Sequence, residues 1–155
     1  MKEIYYYSSP IGILKIAASN GSLNEISFAQ AIQKNSANPS KIILTCKEQL
    51  DLYFKGKLQD FDIPISFDTG TPFQQKVWQE LCNVPYGKTV SYKDIAANIG
   101  NPKAVRAVGG ANNKNPIVIV IPCHRIIGAN SKLVGYGGGL DKKEFLLNLE
   151  KENLK

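Results

Sequence analysis

Thr71-Pro72-Phe73-Gln74 constrains this 155-residue chain more than any other stretch, because three separate helix-start signals fall on four residues. An N-cap threonine accepts a hydrogen bond from the first turn. Proline at the first helical position gives up only an N–H that has no partner there, and a glutamine three residues after the cap returns a bond to it. A helix is therefore expected from residue 72, with Phe73, Val77, Trp78 and Leu81 on its apolar face and Cys82 ending it inside the core. Asp68-Thr69-Gly70 just before it reads as a boundary. Two domains follow, 1–69 and 70–155, and an apolar content of 43% suffices for packed interiors.

The first domain reads as a small antiparallel sheet with one helix. Residues 12–18 and 23–28 flank Ser19-Asn20-Gly21-Ser22, whose Asn-Gly pair suits a tight hairpin turn. Ile42, Cys46, Leu50 and Phe54 recur at helical spacing and stop before Gly56. Phe61, Ile63, Ile65 and Phe67 alternate as in a strand, which Pro64 confines to an edge. Residues 29–39, rich in Asn, Gln and Ser, form a loop, and nothing in this half suggests chemistry.

The second domain reads as mostly helical. Ser91 caps a short helix carrying Ile95, Ala96 and Ile99 that Gly100 ends, and Asn101-Pro102 opens another running to about Asn112. This is a helix-turn-helix pattern, and Ala107-Val108-Gly109-Gly110-Ala111 would let the second helix approach a partner closely. A last helix starts at Asp141, with Glu144 in capping-box position and Phe145, Leu146 and Leu149 inside. The fold class is α+β: a small N-terminal antiparallel sheet with a helix, followed by a mostly α-helical, winged-helix-like domain.

Charge singles out the same region. Residues 1–69 balance seven lysines against seven acids, so the whole net charge of +6 resides in the second half. Lys88, Lys93, Lys103, Arg106, Lys114, Arg125 and Lys132 stand there against Asp94 alone, which points to a polyanionic partner. No apolar run approaches a membrane span, and the first residues do not form a signal-peptide core. Three cysteines without a CxxC pair argue against a disulfide framework and, with a single histidine, against a zinc site.

That single histidine adjoins a cysteine in Ile121-Pro122-Cys123-His124-Arg125, at the end of the apolar run 117–121. An activated thiolate is a strong nucleophile, so the pair can carry a reaction. Adjacent side chains rarely point the same way, so proton transfer between them needs a bend or a bridging water. A cysteine protease takes its histidine from elsewhere in the fold, and no second histidine exists.

Pro122-Cys123-His124-Arg125, with Arg106-Ala107-Val108-Gly109-Gly110-Ala111, Asn115-Pro116 and Gly135-Tyr136-Gly137-Gly138-Gly139-Leu140, resembles the O6-alkylguanine-DNA alkyltransferase family. Residues 71–78, Pro85-Tyr86-Gly87 and Ser91-Tyr92 extend the resemblance, which is close over 71–150 and general over the first seventy residues. It implies a ribonuclease H-like first domain and a helix-turn-helix alkyltransferase domain after it. The implied activity is direct reversal of DNA damage. An alkyl group passes from O6 of guanine, or O4 of thymine, to Cys123 in one irreversible turnover, with base flipping and minor-groove binding.

The resemblance also implies roles for residues. Cys123 is the acceptor, His124 polarises it through a water, Glu150 holds the imidazole, and Asn115 organises the turn. Tyr92 assists nucleotide rotation and donates to the purine. Arg106 fills the space left in the duplex, with Ala107, Gly109, Ala111, Lys103, Lys114 and Ser91 along the DNA face. Val118, Pro122, Tyr136 and Gly137 line the base pocket. Neither cofactor nor metal is expected, since the first domain has only Cys46 and no histidine. Asn112 and Asn113 stand where other members carry larger or basic residues.

Two other classes compete, a non-catalytic lesion-binding module and a helix-turn-helix regulator. The first would lack the acceptor cysteine, and the second would tolerate its loss. The expected partner is double-stranded DNA containing O6-alkylguanine, bound by a cytoplasmic, nucleoid-associated monomer with no membrane contact.

Overall fold

The structure is a computed structural model and describes residues 2–36, 38–128, 136 and 138–154. It divides into two compact units, Met1–Asp68 and Thr69–Lys155. In the first, β1 (Glu3–Ser9), β2 (Gly12–Ser19) and β3 (Ser22–Ala29) form one antiparallel sheet in that order. Asn20 and Gly21 close the β2–β3 hairpin with φ of 52° and 76°, as its tight turn requires. β1 had no counterpart in the sequence reading. Its three consecutive tyrosines obscure the alternation, and only Tyr7 is buried.

Helix α1 (Lys41–Phe54) lies against this sheet and buries Ile43, Cys46, Leu50 and Tyr53. Its inner face is thus rotated from the expected one, leaving Ile42 and Phe54 only half-buried. Gly56 (φ 74°) ends it: Lys57 N–H bonds Leu52 O at 2.8 Å and Gly56 N–H bonds Tyr53 O at 3.0 Å, satisfying two orphan carbonyls. The expected strand at 61–67 is reduced to one parallel bridge, Leu23 to Ile65. Leu23 N–H bonds Pro64 O, and Pro64 itself has no N–H to extend a ladder.

In the second unit, α2 (Pro72–Leu81) starts with a reciprocal capping box. Gln74 N–H donates to Thr71 Oγ1 at 3.1 Å, and Thr71 N–H donates to Gln74 Oε1 at 3.0 Å. Gly70 (φ 95°) must be glycine, since a Cβ there would meet the Trp78 ring at 2.5 Å. Trp78 is buried and donates from Nε1 to Ala111 O at 2.8 Å, a core role that ties α2 to α4. Cys82, expected in the core, is the C-cap and exposed.

β4 (Val90–Ser91) leads into α3 (Tyr92–Asn98), and Ser91 forms a second capping box with Asp94. α4 (Val105–Asn113) begins three residues after Pro102, later than expected, because residues 101–104 form a turn first. α4 packs on both α2 and α3, giving the helix-turn-helix. β5 (Ile126–Ile127) pairs in parallel with β4 and places the segment leaving the Cys-His pair beside the start of α3. α5 (Leu140–Glu152) completes the unit, with Gly139 and no side-chain cap at its start. Phe145, expected inside, is exposed; Lys143, Leu146 and Glu150 hold the inner face instead.

Thr71→Ala removes one half of the α2 capping box, and such caps contribute about 1 kcal/mol. Urea denaturation should show a loss of about that size without change in the slope; an unchanged midpoint would mean the cap contributes nothing.

Candidate active site

Asn115 builds the loop that presents the thiol. Its Nδ2 donates to Ile121 O at 2.7 Å and its Oδ1 accepts from Ile117 N at 2.9 Å, so one side chain closes residues 117–121 from both ends. Ile121 N–H also bonds Ile117 O at 2.9 Å. Within the loop Ile119 is held at φ 74°, a left-handed conformation that costs a β-branched residue of order 1–3 kcal/mol. Burial of Ile117, Ile119 and Ile121 and the Asn115 bonds hold it there.

Pro122 ends the loop, and Cys123–Arg125 form one 3-10 turn closed by Arg125 N–H to Pro122 O at 3.0 Å. At three residues per turn, neighbouring side chains diverge by about 120°. Cys123 and His124 therefore face different ways, and a proton moving between them needs an intermediary.

His124 faces inward and is completely buried. Its Nε2 lies 2.6 Å from Glu150 Oε2. Arg125 turns to the same carboxylate, with Nε donating to Oε1 at 2.8 Å and Nη2 to Oε2 at 2.9 Å, while Nη1 donates to Val84 O at 2.7 Å. Gly87 N–H adds a fourth donor to Oε1 at 3.1 Å. Burial opposes ionisation of Glu150, but the bonds and charges of His124 and Arg125 outweigh it and hold the carboxyl well below the usual carboxylate range. Burial also keeps the imidazole below its ordinary 6.5, against the pull of Glu150. A neutral imidazole beside an ionised carboxylate donates from Nε2 and leaves Nδ1 as an acceptor.

Burial is also the main influence on Cys123, pushing its thiol up to about 11, with the Asn115 hydrogen bond and the Lys143 charge pulling the other way. The resting group is a protonated thiol, not an activated thiolate. Activation therefore depends on moving the proton away. Tyr92 and Tyr136 feel the same sulfur, and burial raises the pKa of both hydroxyls. Lys143 lies buried on α5, and burial lowers its ammonium to about 8.

Beside Tyr92 opens a cleft of about 520 Å³ lined by Tyr92, Val105, Arg106 and Gly109. The N-terminal part of α4 thus borders an open cleft. Gly110 has open space where a Cβ would project, and Gly109 has only an ordinary 3.7 Å contact with Tyr92. Internal packing demands neither glycine, although each weakens a helix by about 1 kcal/mol relative to alanine. Lys88, Lys93, Lys103, Arg106, Ala107 and Lys114 are exposed.

Several expected site residues sit differently. Ala111 is only 2% exposed and its carbonyl holds Trp78, so it faces the core and not the DNA side. The Ser91 hydroxyl is occupied by Asp94 N–H in the helix cap. Pro122 is buried and Val118 half-buried. Gly137, with Gly135 and Lys132, lies outside the described residues. Arg125, counted with the surface charge, is a buried partner of Glu150. That role, and the inward position of Lys143, escaped the sequence reading. The only traces in the sequence are Ile121, Ile126 and Ile127 around Arg125 and the helical stripe of Lys143, Leu146 and Glu150, and neither separates a buried charge from an exposed one.

These features define a class: a DNA-facing helix-turn-helix protein with a nucleophilic thiol behind its recognition helix. The family model described as "6-O-methylguanine DNA methyltransferase, DNA binding domain" matches residues 72–152, and "6-O-methylguanine DNA methyltransferase, ribonuclease-like domain" matches residues 4–67. The chain belongs to the 6-O-methylguanine DNA methyltransferase family. It is 46% identical to the methylated-DNA–protein-cysteine methyltransferase of Methanosarcina barkeri, over 98% of this chain and 100% of that one. The fold matches a Mycobacterium tuberculosis O6-methylguanine methyltransferase at TM-score 0.89 and 42% identity, covering 100% of this chain and 96% of the other. A structure of M. tuberculosis OGT in complex with DNA matches at TM-score 0.85 and 44% identity, covering 96% and 92%.

Glu150→Gln leaves the Arg125 guanidinium buried without its carboxylate and should cost about 3–5 kcal/mol of unfolding free energy at neutral pH. The lowered Glu150 contributes stability that is complete above the ordinary carboxylate value of 4.5 and is lost as pH falls through its folded value. Neutral His124 acts in the same sense below 6.5. The gap between wild type and variant in denaturant titrations should narrow in acid; a gap as wide at about pH 3 as at pH 7 would contradict the assignment.

Proposed function

We propose that this chain repairs alkylated duplex DNA by direct reversal, taking the alkyl group from O6 of guanine onto Cys123 in a single turnover. One observation carries the reading. A buried thiol sits on a turn whose next residue is an imidazole bonded to a carboxylate, behind a helix-turn-helix that exposes glycines and cations.

The α4 face enters the minor groove, where Gly109 and Gly110 allow close approach and Lys103 and Lys114 meet phosphates. Guanine O6 is not open to in-line attack while the base is stacked, so the nucleotide turns out at a cost of a few kcal/mol. Arg106, exposed near the start of α4, fills the gap, and Tyr92 lines the same cleft with its hydroxyl in the field of the sulfur. Val118, Pro122 and Tyr136 surround the extruded base.

The Cys123 proton leaves through a water to His124 Nδ1, and Glu150 stabilises the imidazolium that forms. The thiolate then attacks the alkyl carbon: the S–C bond forms, the C–O6 bond breaks, and its electron pair remains on the guanine. The Tyr92 hydroxyl donates to the departing purine. Since a thioether is not a leaving group, the protein is consumed. It works as a monomer in the cytoplasm, and at the nucleoid when DNA-bound.

Incubating the protein with duplex DNA containing O6-methylguanine should place one methyl group on the peptide holding Cys123, in stoichiometric yield. Cys123→Ser should abolish it, and Arg106→Ala should slow it about tenfold or more with an unchanged melting temperature. An unmodified wild-type peptide after complete DNA binding would overturn the reading.

A further inference from the structure

Asn112 ends up where no DNA-contacting residue could act. It lies near the C-terminus of α4, is only 2% exposed, and reaches inward to the active-site turn. Its Nδ2 lies 3.5 Å from Cys123 O, at the outer limit of a hydrogen bond. The opposite amide orientation would set two oxygen acceptors against each other, so the donor assignment is fixed by chemistry. Asn112 Oδ1 is then left buried with no partner among the described residues. An unmet buried acceptor costs roughly 1–3 kcal/mol.

A second buried acceptor lies one residue along the turn. His124 commits Nε2–H to Glu150, and its Nδ1 has no partner among the described residues. Both acceptors adjoin Cys123: Asn112 touches its backbone carbonyl, and His124 is the next residue along the turn. Two acceptors and one S–H donor form the complement of one water, which has two hydrogens to give and lone pairs to receive.

The geometry points to Asn112 as a positioning residue for proton removal from Cys123, its Oδ1 holding a water that also bonds His124 Nδ1 and the thiol. This rests on the proposed function and adds Asn112 to it. The water gives one hydrogen to Asn112 Oδ1 and the other to Nδ1, which turns its lone pair toward the thiol. The S–H proton passes to the water as the water's hydrogen passes to Nδ1, leaving a thiolate and an imidazolium and regenerating the water. Without Oδ1 the water can rotate and the transfer loses its alignment.

The groups that face the thiol from each packed element are Tyr92 on α3, Asn115, Tyr136 and Lys143 on α5, with Arg125 and Glu150 behind His124. None is altered by a change at Asn112. Asn112→Leu keeps the branched shape and removes the acceptor, whereas Asn112→Ser returns a neutral acceptor on a side chain too short to tether Cys123 O.

The test is the pH dependence of Cys123 alkylation by iodoacetamide, read on the Cys123 peptide by mass spectrometry, beside single-turnover methyl transfer from O6-methylguanine DNA and DNA binding. Asn112→Leu should move the iodoacetamide midpoint up by about one pH unit, slow methyl transfer about tenfold at neutral pH and leave DNA affinity within about twofold. Asn112→Ser should stay closer to wild type in both rates. An unshifted midpoint in Asn112→Leu, or Asn112→Ser as impaired as Asn112→Leu, would overturn the proposal and leave only a tether to the backbone. Iodoacetamide needs no DNA, so a wild type that fails on O6-methylguanine DNA refutes the repair reading separately.

Discussion

Glu150 is the one buried anion on which the second unit converges. It comes from α5, while the turn after Pro122 supplies His124 and Arg125 and the segment before β4 supplies Gly87 N–H. Four donors around one carboxylate leave no lone-pair direction unmet, which is the condition for a buried charge to be tolerated. Because the three segments are distant in sequence, satisfying this carboxylate also fixes where the 3-10 turn sits against the last helix. Arg125 reinforces the arrangement: its bidentate pair adds to the His124 bond in keeping Glu150 ionised.

Burial explains why the thiol needs this apparatus. Held at about 11 by desolvation, Cys123 does not react indiscriminately with solutes at neutral pH. A protein used once gains from such restraint, since any wasted modification destroys it. In the proposed reaction the thiol becomes reactive once its proton is handed to His124, a base already oriented by Glu150. The strained Ile119 loop, the Asn115 clamp and the β4–β5 pairing all place the sulfur for that moment.

Local signals proved legible where the chemistry was local. The Thr71 capping box, the Ser91 cap, the Asn20-Gly21 turn and the Gly56 helix stop depend on residues within a few positions and form as read, whereas the capping box expected of Glu144 does not, since α5 starts at Gly139 without a side-chain cap. The order of motifs around Cys123 carried the family. Long-range features were harder. The sequence could not say that Arg125 turns inward, because its charge looks the same in solvent as beside Glu150. Nor could periodicity tell that Lys143 and Glu150 displace Phe145 from the inner face of α5, a choice made by partners on other segments. Asn112 read as part of a DNA-facing helix, and only burial shows that it points at the thiol's own backbone.

A single histidine makes the central claim directly measurable, because every imidazole 15N signal belongs to His124. Long-range 1H–15N correlation spectra of the free protein at pH 7 should show a neutral ring protonated at Nε2, with an unprotonated Nδ1, and this state should persist below the ordinary imidazole value of 6.5. A ring protonated at Nδ1 alone, or an imidazolium at pH 7, would contradict the account, since no base would then be waiting for the Cys123 proton.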